Sequence, residues 1–341
     1  MQRTHQPPEH RHIFILHTPY QLQFAKDLIE QYAISQPILI IEGKELNEQA
    51  VRLFQEQNIT ETQPDIVAID LIRPSDLGKT NRRRSDQNKR RVLDIIKSQQ
   101  SATYTIYISD INWPINNHVY FQQRGRSNIY LIEDGIGSYL NSDKTMIELC
   151  RGIIRWLAHI VGMGPDFRPY MGKKMGEDQP QISGSYLRAP QHSPATLKKM
   201  DVPFRTTTPA SQKNIPNNAL VFLEQPYWDN LGVTLYQKII NDFFTKHRRN
   251  KGKQILKIHH LSKQAFSHQV ETILDTEPIE NFSIGTNVTI GALTSSALFN
   301  LKLIHGSNIH CIAIMHEKLP GQKNLARLRA LYDRVGVEII E

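Results

Sequence analysis

Short runs of consecutive apolar residues alternate along this chain with longer segments whose apolar residues recur every three or four positions. The runs have the length of buried strands, and the longer segments have the period of helices. Continuous apolar strands separated by helices are typical of a parallel sheet that is covered on both faces. In the first part of the chain the pattern predicts strands at 12–17, 37–42, 65–72, 103–109 and 128–134, and helices at 20–32, 46–55 and a basic segment that ends near Lys97.

The same alternation resumes after residue 218. It predicts strands at 219–226, 254–260, 287–293, 310–315 and 337–340, and helices at 231–247, 266–274, 295–303 and 322–332. Between the two parts, 162–218 is rich in Pro, Gly, Ser and Lys, which predicts a linker or irregular substrate-facing segments. Before it, 147–161 is predicted as an amphipathic or buried helix. The pattern therefore indicates an α/β fold with two doubly wound domains, 1–205 and 206–341.

Composition places the chain among globular proteins. It has 341 residues, 39% of them hydrophobic and 22% charged, which suits two domains of ordinary size and argues against disorder. The first eleven residues are polar and lack the apolar core of a signal peptide, and no stretch approaches the roughly eighteen apolar residues of a membrane span. The two cysteines, Cys150 and Cys311, show no metal or redox spacing, so we expect a reducing cytoplasm.

The net charge of +8 predicts an anionic partner, such as a nucleotide, an acidic glycan, a lipid headgroup or a nucleic acid. The densest basic run, 82–91, falls on a predicted surface helix. It has no interleaved aromatic residues that could stack on bases, so a solvated helix face is favoured and nucleic acid is discounted.

The predicted strands end in residues that can do chemistry, and ligands of open α/β sheets lie outside the carboxyl ends of the strands. Glu133, Asp134 and Gly135 follow the apolar run 129–132 directly. A shielded carboxylate can act as a general base, and glycine lets a substrate approach the backbone closely. Alternatively, Asp134 caps a helix that begins near Ile136.

Two strand ends in the second half carry groups suited to a phosphate. Lys257, His259 and His260 can hold a phosphate or donate a proton to it, although a solvated basic turn would look the same. Thr294, Ser295 and Ser296 open a predicted helix, whose N-terminus favours anions, although simple capping is the alternative.

The order and spacing of these motifs resemble the bacterial sialyltransferases of the lipooligosaccharide and polysialic-acid capsule type. The family motifs (D/E)(D/E)G, HP and SS/ST are matched by Glu133-Asp134-Gly135, His259-His260 and Ser295-Ser296. Three further stretches resemble the same group: "HTPYQLQFAKDLI" with Thr18, Pro19 and Gln21, "VFLEQPYWDN", and "TEPIE" with Glu280. The main departure is His260 where the family has proline, which leaves open whether His259 or His260 is the catalytic histidine.

The resemblance implies two Rossmann-like domains of the GT-B type that face a cleft. It implies an inverting glycosyltransferase that moves sialic acid from CMP-sialic acid to a hydroxyl of a surface glycan. Asp134 or Glu133 would take the acceptor proton, and Asp134 is favoured because it adjoins Gly135. The other implied roles are phosphate stabilisation or protonation by His259, Ser295 and Ser296, donor binding by Lys257, His260, Glu280 and Thr294, and substrate binding by Gln21, Thr18 and Gly135.

No metal or other cofactor is expected. No two aspartates stand two positions apart, and the fourteen histidines show no zinc spacing. A single phosphate can be neutralised by a histidine and a helix N-terminus.

The expected partners are CMP-sialic acid, a glycan acceptor ending in galactose or sialic acid, and a second copy of the chain. Peripheral contact with the inner face of the bacterial inner membrane is suggested by the helix 147–161 with Arg151, Arg155 and Lys173-Lys174. The alternative is that the helix is buried and that the two lysines lie on a solvated loop. Two rival functions stay open: a transferase of the same fold that uses another nucleotide sugar, and a non-catalytic protein that binds glycan or nucleic acid.

Overall fold

The computed structural model describes residues 10–55, 64–73, 75–97, 103–123, 125–140, 142–204, 213–248, 252–259, 270–274, 277–319 and 322–341. The chain divides into two compact units, Met1–Pro203 and Phe204–Glu341. The boundary predicted from the sequence lies two residues further along the chain.

The first unit is built on one parallel sheet of seven strands. These are β1 (His10–Leu16), β2 (Ile38–Glu42), β3 (Asp65–Ile69), β4 (Thr103–Ile108), β5 (Asn128–Ile132), β6 (Ile182–Leu187) and β7 (Lys199–Asp201). Their order in the sheet is β3-β2-β1-β4-β5-β6-β7. The direction of strand addition reverses between β1 and β4, and such a switch point opens a crevice at the carboxyl ends of the strands.

Helices cover both faces of this sheet. They are α1 (Pro19–Gln31), α2 (Lys44–Gln55), α3 (Lys79–Lys97), α4 (Pro114–Gln122), α5 (Gly137–Leu140) and α6 (Met146–Ile160). Successive residues of β1 point to opposite faces: Ile13 and Ile15 enter one hydrophobic core, and Phe14 and Leu16 enter the other. Because both faces are buried, the strand is a continuous apolar run instead of an alternating one.

The second unit carries a six-stranded parallel sheet and a separate two-stranded one. Its strands are β8 (Asn214–Ile215), β9 (Leu220–Leu223), β10 (Gln254–Lys257), β11 (Glu271–Ile273), β12 (Ser283–Ile284), β13 (Val288–Ala292), β14 (Ile309–Ile314) and β15 (Glu338–Ile340). The large sheet has the order β11-β10-β9-β13-β14-β15, which is the Rossmann order 3-2-1-4-5-6 counted within the sheet, and β12 pairs with β8. The helices are α7 (Trp228–Leu231), α8 (Val233–His247), α9 (Ser296–His305) and α10 (Gln322–Val335).

The predicted fold class, α/β with two Rossmann-like domains, is confirmed, and two local predictions are wrong. The segment 162–218 is not merely irregular, because β6 and β7 extend the first sheet beyond β5. The sequence of β6, ISGSYL, lacks a continuous apolar run, since it lies towards the edge of the sheet. The predicted helix 266–274 is a strand where the structure describes it, at β11, whose Thr272 and Ile273 are β-branched. Its earlier part lies outside the described residues.

Within the described residues, no helix combines the length and the apolar character needed to cross a bilayer.

The close approach of α8 to β13 gives a stability test. A Cβ added at Gly291 would lie 2.3 Å from Phe243 Cε2, whereas one added at Gly252 would meet no atom nearer than 3.8 Å. We expect Gly291→Ala to lower the free energy of unfolding by about 1–3 kcal/mol, because the ring must be displaced in a packed core. Urea unfolding measures this, with Gly252→Ala as the matched control. Equal stability of the two variants would contradict the packing described.

Candidate active site

The carboxyl ends of three strands, β1, β4 and β5, bring together a group of polar side chains in the first unit. We call this group, His17, Gln21, Asp110, Glu133 and Asp134, the acidic strand-end site. Two of these residues had not been predicted from the sequence, His17 and Asp110.

Glu133 is fully buried and its carboxylate accepts hydrogen bonds on both oxygens. The hydroxyl of Tyr20 donates to Oε1, and the hydroxyl of Tyr139 donates to Oε2. The backbone N–H of Arg188 also donates to Oε2, at 2.7 Å. Burial raises the pKa of Glu133, although the three hydrogen bonds and the Arg188 charge oppose this. Because its oxygens accept hydrogen bonds from α1, α5 and the segment after β6, Glu133 holds these three parts of the first unit together.

Asp134 has a different environment although it is the next residue. It is half-buried, and its Oδ1 accepts a hydrogen bond from Gln21 Nε2 at 2.5 Å. Its backbone N–H donates to Ser138 Oγ at 2.9 Å. Oδ2 accepts from no donor among the described residues. Burial raises the pKa of Asp134, opposed by the Gln21 hydrogen bond and the His17 charge. A carboxylate with one held and one open oxygen is suited to accept a proton.

The turn after Asp134 depends on glycine. Gly135 has a φ of 65°, in the left-handed region that favours glycine. The first backbone bond of the following turn runs from Ser138 N–H to the Gly135 carbonyl oxygen, at 3.2 Å. In the described contacts the Asp134 carboxylate accepts no backbone N–H of α5, so the capping alternative is not what the structure shows.

Gln21 ties the end of β1 to the end of β5. Besides donating to Asp134, it accepts a hydrogen bond from the backbone N–H of His17, at 2.8 Å, on Oε1. Thr18 is the N-cap of α1, because its hydroxyl accepts from the Gln21 N–H at 3.2 Å. The structure therefore places Gln21 against the carboxylate, and it shows Thr18 in a capping contact. Substrate contact by either residue stays a prediction.

His17 and Glu42 form a buried pair at the ends of β1 and β2. His17 Nδ1 lies 3.3 Å from Glu42 Oε2, and the imidazole stacks on Trp113 with ring centroids 4.5 Å apart. Burial lowers the pKa of His17, but the combined effect of Glu42, Asn116 and the Asp134 charge outweighs burial, so the pKa is raised overall. A positive imidazole beside Asp134 favours the ionised, proton-accepting form of that carboxylate. A signal was present in the sequence, since both strands end their apolar runs with an ionisable residue.

Asp110 follows β4 and adds a second carboxylate. Its Oδ1 accepts from the backbone and side-chain nitrogens of Asn112, at 2.7 and 2.9 Å. Burial raises the pKa of Asp110 to about 7, the Asn112 hydrogen bond opposes this, and the Asp134 charge adds to it. Nearby, burial lowers the pKa of Lys144 to about 8, and the charge of Asp110 opposes that shift. Asp110 and Lys144 can thus change charge close to neutral pH.

In the second unit, the strand ends of β9 and β10 carry a further polar group. Lys257 is the last residue of β10, and burial lowers its pKa to about 8, with the charge of Glu280 opposing this. Glu280 Oε1 accepts from Asn300 Nδ2 at 2.8 Å. The backbone N–H of His259 donates to Glu224 Oε2 at 2.7 Å. The charge of Glu280 therefore acts on Lys257, and donor binding by the two residues stays a prediction. His260 lies outside the described residues.

Gln225, after β9, holds the strand end that leads into α9. Its Nε2 donates to the Thr294 carbonyl at 2.7 Å, and its Oε1 accepts from the Thr294 N–H at 2.9 Å. The Thr294 hydroxyl lies 2.7 Å from the Tyr227 hydroxyl. Glu224 and Gln225 belong to the stretch "VFLEQP", but sequence reasoning gave neither a role.

The two serines differ in what their hydroxyls do. Ser295 is the N-cap of α9, and its Oγ accepts from the Ala297 N–H at 3.3 Å. Ser296 is the first residue of α9, and its hydroxyl makes no hydrogen bond with the described residues. Capping therefore accounts for Ser295, whereas Ser296 is available to a ligand at the helix N-terminus.

Among the described residues, no group of three or more His, Cys, Asp or Glu side chains is arranged to hold a metal ion. Metal independence stays a prediction.

No protein-family model and no curated protein matches this sequence. Solved structures match nearly the whole chain. The spinosyn rhamnosyltransferase SpnG complexed with thymidine diphosphate has a TM-score of 0.52 and 10% identity, and the match covers 97% of this chain and 86% of that one. A putative UDP-N-acetylglucosamine 2-epimerase from Listeria monocytogenes has a TM-score of 0.50 and 11% identity, with 96% and 88% covered. Identities this low show the fold alone, which is of the GT-B type.

The raised pKa of Asp110 predicts how pH changes stability. A folded pKa of about 7 against an unfolded one of about 3.9 means that this group stabilises the fold fully below pH ~4, and that the contribution is lost as the pH rises to ~7. Asp110→Asn removes this dependence. As the pH rises from ~4 to ~7, the free energy of unfolding of the variant should therefore increase relative to that of the wild type.

Chemical denaturation across this pH range measures the difference. Asp94→Asn, at an exposed position of α3, is the control for removing one carboxylate from the surface. A difference between Asp110→Asn and wild type that does not change with pH would show that Asp110 is not the perturbed acid described.

Proposed function

We propose that the protein is an inverting glycosyltransferase that moves sialic acid from CMP-sialic acid to a hydroxyl of a surface glycan. The observation that supports it most is the division between two adjacent acids: Glu133 accepts three hydrogen bonds, and Asp134 keeps one oxygen open. An open, oriented carboxylate with a raised pKa is what deprotonation of a sugar hydroxyl requires. The donor, CMP-sialic acid, is proposed because the sequence motifs resemble those of the bacterial sialyltransferases.

The reaction is a single displacement. The acceptor hydroxyl oxygen forms a bond to the anomeric carbon of sialic acid, and the bond from that carbon to the CMP phosphate oxygen breaks. Asp134 takes the hydroxyl proton, and CMP leaves with the electron pair. Attack opposite the leaving group turns a β-linked donor into an α-linked product. His17 favours the ionised form of Asp134 before attack, and Gln21 holds the carboxylate in position.

The leaving phosphate is assigned to the N-terminus of α9. Backbone N–H groups and the open Ser296 hydroxyl at this end favour an anion, and no metal is required in this proposal. His259 would stabilise or protonate the phosphate, and His260 is the alternative. Lys257 would add positive charge, and Glu280 would accept hydrogen bonds from the ribose hydroxyls.

A second candidate is a transferase of the same fold with another nucleotide sugar. Its support is the similarity to SpnG, a rhamnosyltransferase solved with thymidine diphosphate. The deciding experiment is turnover of CMP-sialic acid, UDP-hexoses and TDP-hexoses with a panel of galactosides and oligosialic acids, with the product linkage determined by NMR. Transfer from CMP-sialic acid supports the proposal, transfer from a hexose donor alone supports the second candidate, and turnover of neither rejects both.

Asp134→Asn should lower turnover by roughly 10²–10⁴-fold and leave the affinity for CMP largely unchanged, because the amide keeps the shape of the side chain and loses its basicity. Initial rates and calorimetric titration of CMP measure the two quantities.

Glu133→Gln is the matched control, since it makes the same change one residue earlier. It should lower the free energy of unfolding by about 1–3 kcal/mol, because the new amide NH₂ faces a buried donor. Full activity of Asp134→Asn with an inactive but stable Glu133→Gln would exchange the two roles. Full activity of both would reject general base catalysis at this site.

Ser296→Ala should weaken CMP binding by about 10-fold or more, since a hydrogen bond to a charged group contributes about 1.5–3 kcal/mol. Ser295→Ala should affect CMP less and should instead cost about 0.5–2 kcal/mol of stability through the lost cap. Calorimetric titration and thermal unfolding of both variants measure this. An equal loss of CMP affinity in both, or in neither, would remove the special role of Ser296.

A further inference from the structure

Helix α6 presents its apolar side chains to solvent. Ile147, Ile154 and Leu157 are 66%, 61% and 48% exposed, and of the fifteen residues of the helix only Gly152 is buried. The large apolar side chains exposed along the helix and at the residue after it are Met146, Ile147, Ile153, Ile154, Trp156, Leu157, Ile160 and Val161. The expected amphipathic pattern is present, and the alternative of a buried helix is wrong.

The polar side of the same helix faces the protein. Glu148 forms an ion pair with Lys174 at 2.6 Å, and His159 Nε2 lies 3.5 Å from Asp166. The guanidinium of Arg155 lies over the Phe167 ring at 5.6 Å. The orientation of α6 is therefore the reverse of that of an ordinary surface helix, whose apolar stripe faces the core.

The exposed apolar surface has further members at both ends of α6. At the C-terminal end, Gly78 N–H donates to the Met163 carbonyl at 2.6 Å, and the side chains of Leu77 and Met163 are 53% and 45% exposed. At the N-terminal end, Lys144 N–H donates to the Gly172 carbonyl at 2.9 Å, beside the exposed Met171. A cluster of this kind on a globular protein marks a surface that contacts something apolar.

Exposed basic side chains border this surface. Arg151 is exposed on α6, and Lys79 is exposed at the start of α3, one turn before Arg82, which donates to the His159 carbonyl of α6. Neither Arg151 nor Lys79 forms an ion pair with the described residues. From 144 to 165 the one acidic residue is Glu148, and it is paired inward.

We propose that this face of the first unit, α6 with Leu77 and Met163, docks on the surface of an anionic phospholipid bilayer. The apolar side chains would enter the boundary between headgroups and acyl chains, and Arg151 and Lys79 would contact the headgroup phosphates. An apolar face with a basic border matches such a surface. A second copy matches it less well, because an isologous contact would bring two basic borders together. The argument uses no feature of the proposed chemistry, so either proposal can fail alone.

Flotation of the full chain with vesicles tests the proposal, using phosphatidylglycerol mixed with phosphatidylcholine, and phosphatidylcholine alone. We expect binding to the anionic vesicles at low salt and loss of binding at high salt. Ile154→Glu with Leu157→Glu should lower the partition coefficient by at least about 100-fold. The matched control is Val233→Glu with Leu274→Glu, which adds the same charge at exposed apolar positions of the second unit.

The basic border is tested separately. Arg151→Gln and Lys79→Gln should each lower the partition coefficient about fivefold on anionic vesicles. No binding of the wild type at low salt would overturn the proposal, as would an equal loss in the control pair. Sedimentation that shows a wild-type dimer which Ile154→Glu with Leu157→Glu makes monomeric would assign the face to a second copy instead.

Discussion

The burial of one carboxylate, Glu133, determines the geometry of the rest of the acidic strand-end site. A buried carboxylate is tolerated when hydrogen bonds replace the water it has lost. Glu133 receives these bonds from Tyr20, Tyr139 and the backbone of Arg188, which belong to three different parts of the first unit. The Arg188 side chain continues the network, with Nη2 2.5 Å from Asp27 Oδ2 of α1. The end of β5 is thereby fixed, and the following residue, Asp134, is fixed with its second oxygen open.

The same principle orders both units: the strands contribute buried apolar residues along their length and polar residues where they end. In the first unit the switch between β1 and β4 gathers His17, Asp110 and Asp134. In the second unit the switch between β9 and β13 gathers Gln225 and Thr294 in a pair of reciprocal hydrogen bonds. The proposed division of roles follows from these environments, with carboxylates of raised pKa in one unit and a helix N-terminus with an open hydroxyl in the other.

The strands that are continuous apolar runs could be predicted from the sequence, because buried parallel strands have that pattern. The strands β6, β7 and β11 lack such a run and could not. The acids after β5 and the serines at the start of α9 could be predicted for the same reason, since they follow such runs. His17 and Glu42 each end an apolar run, but their pairing could not be predicted, because it depends on β1 lying beside β2 in the sheet. The different roles of Glu133 and Asp134 could not be predicted either, because they depend on partners distant in sequence, Arg188 for Glu133 and Gln21 for Asp134. For α6, periodicity gave an apolar face but not the direction in which that face points.

The central claim is that the Glu133 carboxylate is buried and fully hydrogen-bonded, whereas the Asp134 carboxylate has an accessible oxygen. Chemical labelling of carboxylates tests this claim most directly. Native protein is treated with a carbodiimide and a small amine, and tandem mass spectrometry measures modification at the two adjacent positions. The account predicts that Asp134 is modified in the folded protein, whereas Glu133, 0% exposed, is modified only after unfolding. Modification of Glu133 at the same rate as Asp134 in the folded state would contradict it.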